Sequence, residues 1–165
     1  MRFAPAAAAL SLIVAVQASV GFATDRAPDP RAVALATQGR AELSAGHTQE
    51  AIDAFEAALV VDPSFNAVLL NLAEAARADG LQGKAIHYYR EALKRDPNSL
   101  AAIAGEGEAL VEKGAVERAR ENLSVLKSRC GETCGETQQL AAAISAGPQI
   151  MTAEAVVPDN GVTQN

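Results

Sequence analysis

Cys130 and Cys134 are the two residues of this 165-residue chain best suited to chemistry, and their spacing narrows what that chemistry can be. A dithiol redox centre uses two intervening residues and a strand–helix–strand setting, and C-x-x-x-C here has neither. A zinc site needs about four ligands, which two cysteines cannot supply. The pair reads first as a structural disulfide joining the end of one helix to the start of the next. Free or regulatory thiols and a metal or redox centre stand as alternatives. Closing a five-residue loop stabilises by roughly 2 kcal/mol in the chain-entropy description. The two histidines, His47 in a turn and His87 on a helix, have no metal-type cluster around them and read as solvated side chains. There is no nucleophile elbow, phosphate loop or HExxH pair, so no enzyme, cofactor or metal is expected.

The elements that carry these residues repeat. Gly46, Gly80 and Gly114 are 34 apart, as are Ala51, Ala85 and Ala119, and Asp62-Pro63 recurs at Asp96-Pro97. A period of that length means stacked helical hairpins, each unable to cover its apolar face alone. Apolar residues follow helical spacing through Leu35 and Leu43, then Ile52, Phe55 and Leu59, then Leu69, Leu72 and Ala76, then Ile86, Tyr89 and Leu93. Asp29 with Pro30 reads as the first helix start. Ser64 and Asn98 read as caps of the helices after the Asp-Pro breaks. Gly105 and Gly107 fall inside the first helix of the third hairpin at about 1 kcal/mol each relative to alanine. Gly107 occupies the small-residue position of Gly39 and Ala73, but Gly105 has no such role, so this helix is expected to be the softest. Thr133 and Glu136 form a capping box for a seventh helix over 134–146, placed to cover the last hairpin.

Residues 1–23, with Arg2, an uncharged apolar run and small residues up to Ala23, read as a secretory signal peptide. Val16-Gln17-Ala18 offers a second cleavage site, and an uncleaved anchor is the alternative. Residues 24–30 are a linker and 147–165 a polar, disordered tail. Without Arg2 the chain has 13 basic and 20 acidic side chains (14 − 1 against 20). That balance, with only 4% aromatic residues, argues against nucleic acid. The expected compartment is the periplasm of a bacterial envelope, with no membrane span once the leader is cleaved.

The middle unit, with Leu69, Ala73, Gly80, Ala85, Tyr89, Ala92 and Pro97, resembles the tetratricopeptide repeat family. The first unit matches through Leu35, Gly39, Gly46, Ala51, Phe55, Ala58 and Pro63. The third is a degenerate copy, keeping Ile103, Gly107, Gly114 and Ala119 but carrying Leu123, Leu126 and Gly131 at the last three places. The resemblance implies an all-α, right-handed superhelix of three hairpins over 31–146 (repeats about 32–65, 66–99 and 100–133) with a C-terminal capping helix. It also implies a concave face lined by the first helix of each hairpin. By family position that face carries Val33, Ala36, Arg40 and Leu43, then Leu70, Asn71, Glu74 and Arg77, then Ala104, Glu108 and Val111. Arg40, Leu43, Leu70, Asn71, Glu74, Arg77 and Glu108 are the candidate partner-binding residues. Asn71 holds a place where the family often hydrogen-bonds a ligand's main chain, while the other lysines and asparagines of the carboxylate clamp are missing. The opposing reading is that the charged groups form only solvated pairs, Glu74 with Arg77 among them. The resemblance implies an adaptor for a peptide or partner protein, and the leader-like residues 1–23 make it an exported one. A self-associating structural subunit and a thiol-redox accessory protein are the alternatives.

Overall fold

Because a glycine with positive φ ends a helix without strain, the three repeated glycines become three hairpin turns. Gly46, Gly80 and Gly114 adopt φ of 84°, 73° and 85°. The computed structural model describes residues 26–148; the leader and the tail from 149 onward lie outside the described residues. Seven helices and no strands occur among the described residues: α1 (Pro30–Ser44), α2 (Thr48–Val61), α3 (Asn66–Ala78), α4 (Gln82–Arg95), α5 (Leu100–Glu112), α6 (Val116–Cys130) and α7 (Gly135–Ala146). They form three hairpins, α1–α2, α3–α4 and α5–α6, each packed on the next into an all-α superhelix, with α7 against α5 and α6.

Equivalent residues have equivalent surroundings. Ala51, Ala85 and Ala119 are all fully buried, where a methyl is all the space between helix backbones admits. Between hairpins, Asp62 and Asp96 leave the helix in extended conformation. Arg95 and Arg129, 34 apart, each donate to a proline carbonyl of the unit before, Pro63 at 2.6 Å and Pro97 at 2.8 Å.

Capping differs from the sequence expectation in three places. Ser64 and Asn98 do not cap helices. Their backbone N–H groups donate to the Asp62 and Asp96 carboxylates, both at 3.0 Å, closing the turn before the helix begins. Ser99 caps α5 through Ala102 N. Thr133 does not cap α7 either: Cys134 holds that position, with no side-chain capping bond, and Thr137 is buried beside both sulfurs. Asp29 does cap α1, accepting from Arg31 N at 2.8 Å.

The expectation that Gly105 has no packing role is overturned, and with it the reason for reading α5 as the softest helix. All ten residues from Ala102 to Val111 are buried, more than in any other helix described. Its glycines are notches for large side chains from two other elements. A β-carbon on Gly105 would lie 2.3 Å from Tyr89 Cζ, and one on Gly107 2.5 Å from a Leu140 methyl. In the first hairpin Phe55 seats against Gly39 from the hairpin's own second helix. In the third, the equivalent notch at Gly107 is filled by α7. The ~1 kcal/mol propensity loss of each glycine is offset by burying a large side chain, worth about 1.5–3 kcal/mol.

Candidate functional site

The first helices α1, α3 and α5 place their side chains along one face, and α7 closes its far end by lying on α5. Two clefts open there, of about 410 and 600 Å³, and Arg77 and Glu108 line both. The smaller is bounded by Glu74, Tyr89, Gly105, Glu136 and Gln139. The larger is bounded by Gln82, Val111, Glu112, Ala143 and Ala146.

Arg77 organises the site, and not through the pairing expected. Glu74 is one turn away on α3 but exposed and unpaired to it. The guanidinium instead crosses to α5, where Nη1 donates to Glu108 Oε2 at 2.6 Å. Its Nε donates to both Glu112 oxygens, at 3.1 and 3.2 Å, and Nη2 also reaches Glu112. Repeat geometry explains the choice. One period on from Arg77 is Val111, so Glu108 and Glu112 flank the facing position and lie one turn apart, a fork that matches a planar guanidinium. Burial alone would depress the Arg77 pKa, but bonds to Glu112 and Tyr89 and the charges of Glu108 and Glu112 raise it above the ordinary arginine range. Burial pushes the Tyr89 phenol up, partly offset by Arg77.

The other expected residues are less concentrated. Arg40 is exposed, donating to Thr37 Oγ1 at 3.0 Å. Leu43 and Leu70 are half-buried against the core, and Asn71 is half-buried on the face. Ala36, fully buried in the first core cluster, is not available to a ligand. Ala104 and Val111 are also buried, as cleft floor rather than open groove. Arg40 and Leu43 thus stand apart on the first unit, while Glu74, Arg77 and Glu108 converge. Sequence reasoning missed Tyr89, Glu112, Glu136 and Gln139. The 34-residue step carries Arg77 to Val111, one residue short of Glu112; nothing in the chain order brings Glu136 and Gln139 to this face.

Cys130 and Cys134 have Cα atoms 5.8 Å apart, a separation a disulfide spans, with the sulfurs at bonding distance. Donor atoms of these cysteines and Glu136 gather within 4.8 Å of one another. Three donors, one a half-buried carboxylate, fall short of a closed tetrahedral site. His47 is exposed, its Nδ1 2.9 Å from Glu42 Oε2.

A tetratricopeptide repeat profile matches residues 36–99 and 83–129, together more than half of the chain. The protein belongs to the tetratricopeptide repeat family. No curated protein sequence matches it. Among solved structures it is similar to the Sgt2 repeat domain from Aspergillus fumigatus, with 24% identity and a TM-score of 0.65 over 73% of this chain and 81% of that one. The second repeat domain of human RPAP3, in complex with the HSP70 peptide SGPTIEEVD, is similar at 17% identity and a TM-score of 0.64, over 72% and 98%. The Yersinia enterocolitica type III secretion chaperone SycD, in complex with a peptide of the translocator YopD, is similar at 22% identity and a TM-score of 0.60, over 69% and 86%. Identities this low establish a shared fold. No helix among the described residues is long and apolar enough to cross a membrane.

Proposed function

We propose that this protein is an exported tetratricopeptide adaptor that holds a peptide segment of a partner protein against the concave side of α3 and α5. The observation that carries this reading is the pair of clefts meeting at Arg77 and Glu108, walled by α3, α5 and α7, with Glu74 lining the smaller one. Clefts of 410 and 600 Å³ are of the size that takes side chains and small ligands. The face offers few aromatic anchors, so modest affinity is expected. That human RPAP3 and SycD hold peptides on the same fold supports this mode of binding. The leader-like residues 1–23 and the paired Cys130 and Cys134, read as a structural disulfide, support an oxidising compartment outside the cytoplasm.

A displayed random-peptide library selected on the immobilised protein tests the reading. Selected peptides should bind wild type and lose at least about tenfold in affinity, roughly 1.4 kcal/mol, when Leu70→Ala is combined with Asn71→Ala. Peptides that bind both proteins equally, or a selection that yields none, would remove the concave face as the binding surface.

A further inference from the structure

We infer that a notch between α4 and the α5–α6 turn is an anion-accepting subsite that takes a glutamate or aspartate side chain of a partner protein. It shares no lining residue with the two concave clefts, so it goes beyond the peptide-binding reading and does not depend on it. Its volume is about 230 Å³, below the roughly 300–1,000 Å³ of small-molecule pockets and suited to one side chain.

The lining fixes the sign. His87, Arg90, Lys113 and Arg118 are the ionisable groups around the notch, and no carboxylate lines it, in a chain whose net charge is −6. Arg90 donates through Nε to Glu106 Oε1 at 2.7 Å, which leaves both of its Nη groups without an acceptor among the described residues. Lys113 and Arg118 are in no ion pair among the described residues. Lys113 reaches from the turn toward α4, its Nζ 3.9 Å from where a β-carbon on Gly83 would stand.

The backbone adds to this. Gly83 is the second residue of α4 and Ala115 the N-cap of α6; both line the notch, and neither helix has a side-chain cap. The first N–H groups of a helix have no intrahelical acceptor, and the partial positive charge there favours an anion. Two such ends and four basic side chains, drawn from two successive hairpins, therefore meet at one cavity. Its floor is Ile86 and Leu110, both buried. That floor favours a carboxylate on an aliphatic stem over a phosphate. A glutamate lays its methylenes on the two apolar side chains with its charge at the basic rim, whereas a phosphate would lose hydration against them.

The probes are acetyl-Ala-Leu-Glu-Leu-Ala-amide, its Glu→Gln counterpart and inorganic phosphate, each titrated into the ¹⁵N-labelled protein. The glutamate peptide should give saturable shifts at the amides of Gly83, Lys113 and Ala115, and the glutamine peptide should bind at least about fivefold more weakly. Lys113→Gln with Arg118→Gln, both exposed and outside the core, should weaken glutamate-peptide binding about fivefold, and Lys94→Gln, further along α4, should leave it unchanged. No saturable shift with the glutamate peptide, equal binding of both peptides, or indifference to the double variant would each overturn the subsite. Saturation of the same amides by phosphate but not by the glutamate peptide would overturn the assignment to a carboxylate. None of these outcomes bears on the peptides selected against Leu70 and Asn71, so the two readings fail separately.

Discussion

Replacing Gly105 by alanine asks whether the notch in α5 is a packing device or a weakness. Alanine in a helix interior gains about 1 kcal/mol over glycine. Against this, the new β-carbon would lie 2.3 Å from Tyr89 Cζ and 2.5 Å from both Cε1 and the hydroxyl. The Tyr89 ring is 5% exposed and held against α5, which puts the strain at the upper end of the overpacking range, about 3 kcal/mol. The net is a loss of roughly 2 kcal/mol, or about 8 °C in Tm for a domain of this size. Gly83→Ala is the control: it lies in the first turn of α4, where the nearest atom is Lys113 Nζ at 3.9 Å, so stability should hold or rise. Thermal and urea unfolding followed by circular dichroism at 222 nm give both numbers. The Tyr89→Leu background separates packing from backbone effects, because removing the ring should recover most of the Gly105→Ala penalty. A Gly105→Ala protein as stable as wild type, or a penalty unchanged in the Tyr89→Leu background, would refute the reasoning.

Arg77→Leu leaves Glu108 buried without its donor and should cost about 3 kcal/mol in urea unfolding, while Arg77→Leu with Glu108→Leu should recover most of that; equal losses would show that the pair is not coupled. The Glu42 hydrogen bond raises the His47 pKa above its ordinary 6.5. Its contribution is therefore full below 6.5 and lost as pH rises through the raised value. An NMR titration should show the His47 midpoint fall toward 6.5 in Glu42→Gln; an unchanged midpoint would remove that pairing from solution. Reduction, or Cys130→Ser with Cys134→Ser, should lower stability by about 2 kcal/mol without altering the helical spectrum. Thiol alkylation of the untreated protein should label neither cysteine.

What could be read from the chain was whatever recurs at one period. Gly46, Gly80 and Gly114 announced the turns because only a positive φ makes such spacing necessary. Ala51, Ala85 and Ala119 announced the closely packed helix pairs. Helix ends were less legible: the Asp62 and Asp96 carboxylates take the backbone N–H groups of Ser64 and Asn98 themselves, which makes these two residues part of the turn before the helix instead of its cap. Gly105 was misread for a related reason. Helix propensity is local, whereas the side chain that requires this glycine, Tyr89, comes from the neighbouring hairpin.

The polarity of the concave face was hidden by the same blindness to partners one repeat away. In sequence, Glu74 and Arg77 look like a neutral pair on α3, with Glu108 as a separate charge. Once Arg77 turns to Glu108 and Glu112, Glu74 is released to the cleft rim and Glu136 arrives with α7. Arg77, one of the candidate partner-binding residues, is consumed internally, and carboxylates outnumber it along the clefts. α7 therefore does more than wet the end of the stack: Leu140 in the Gly107 notch fixes it where Glu136 and Gln139 become walls of the cleft. A change that lifts Leu140 out of that notch should open the cleft before it unfolds the repeats.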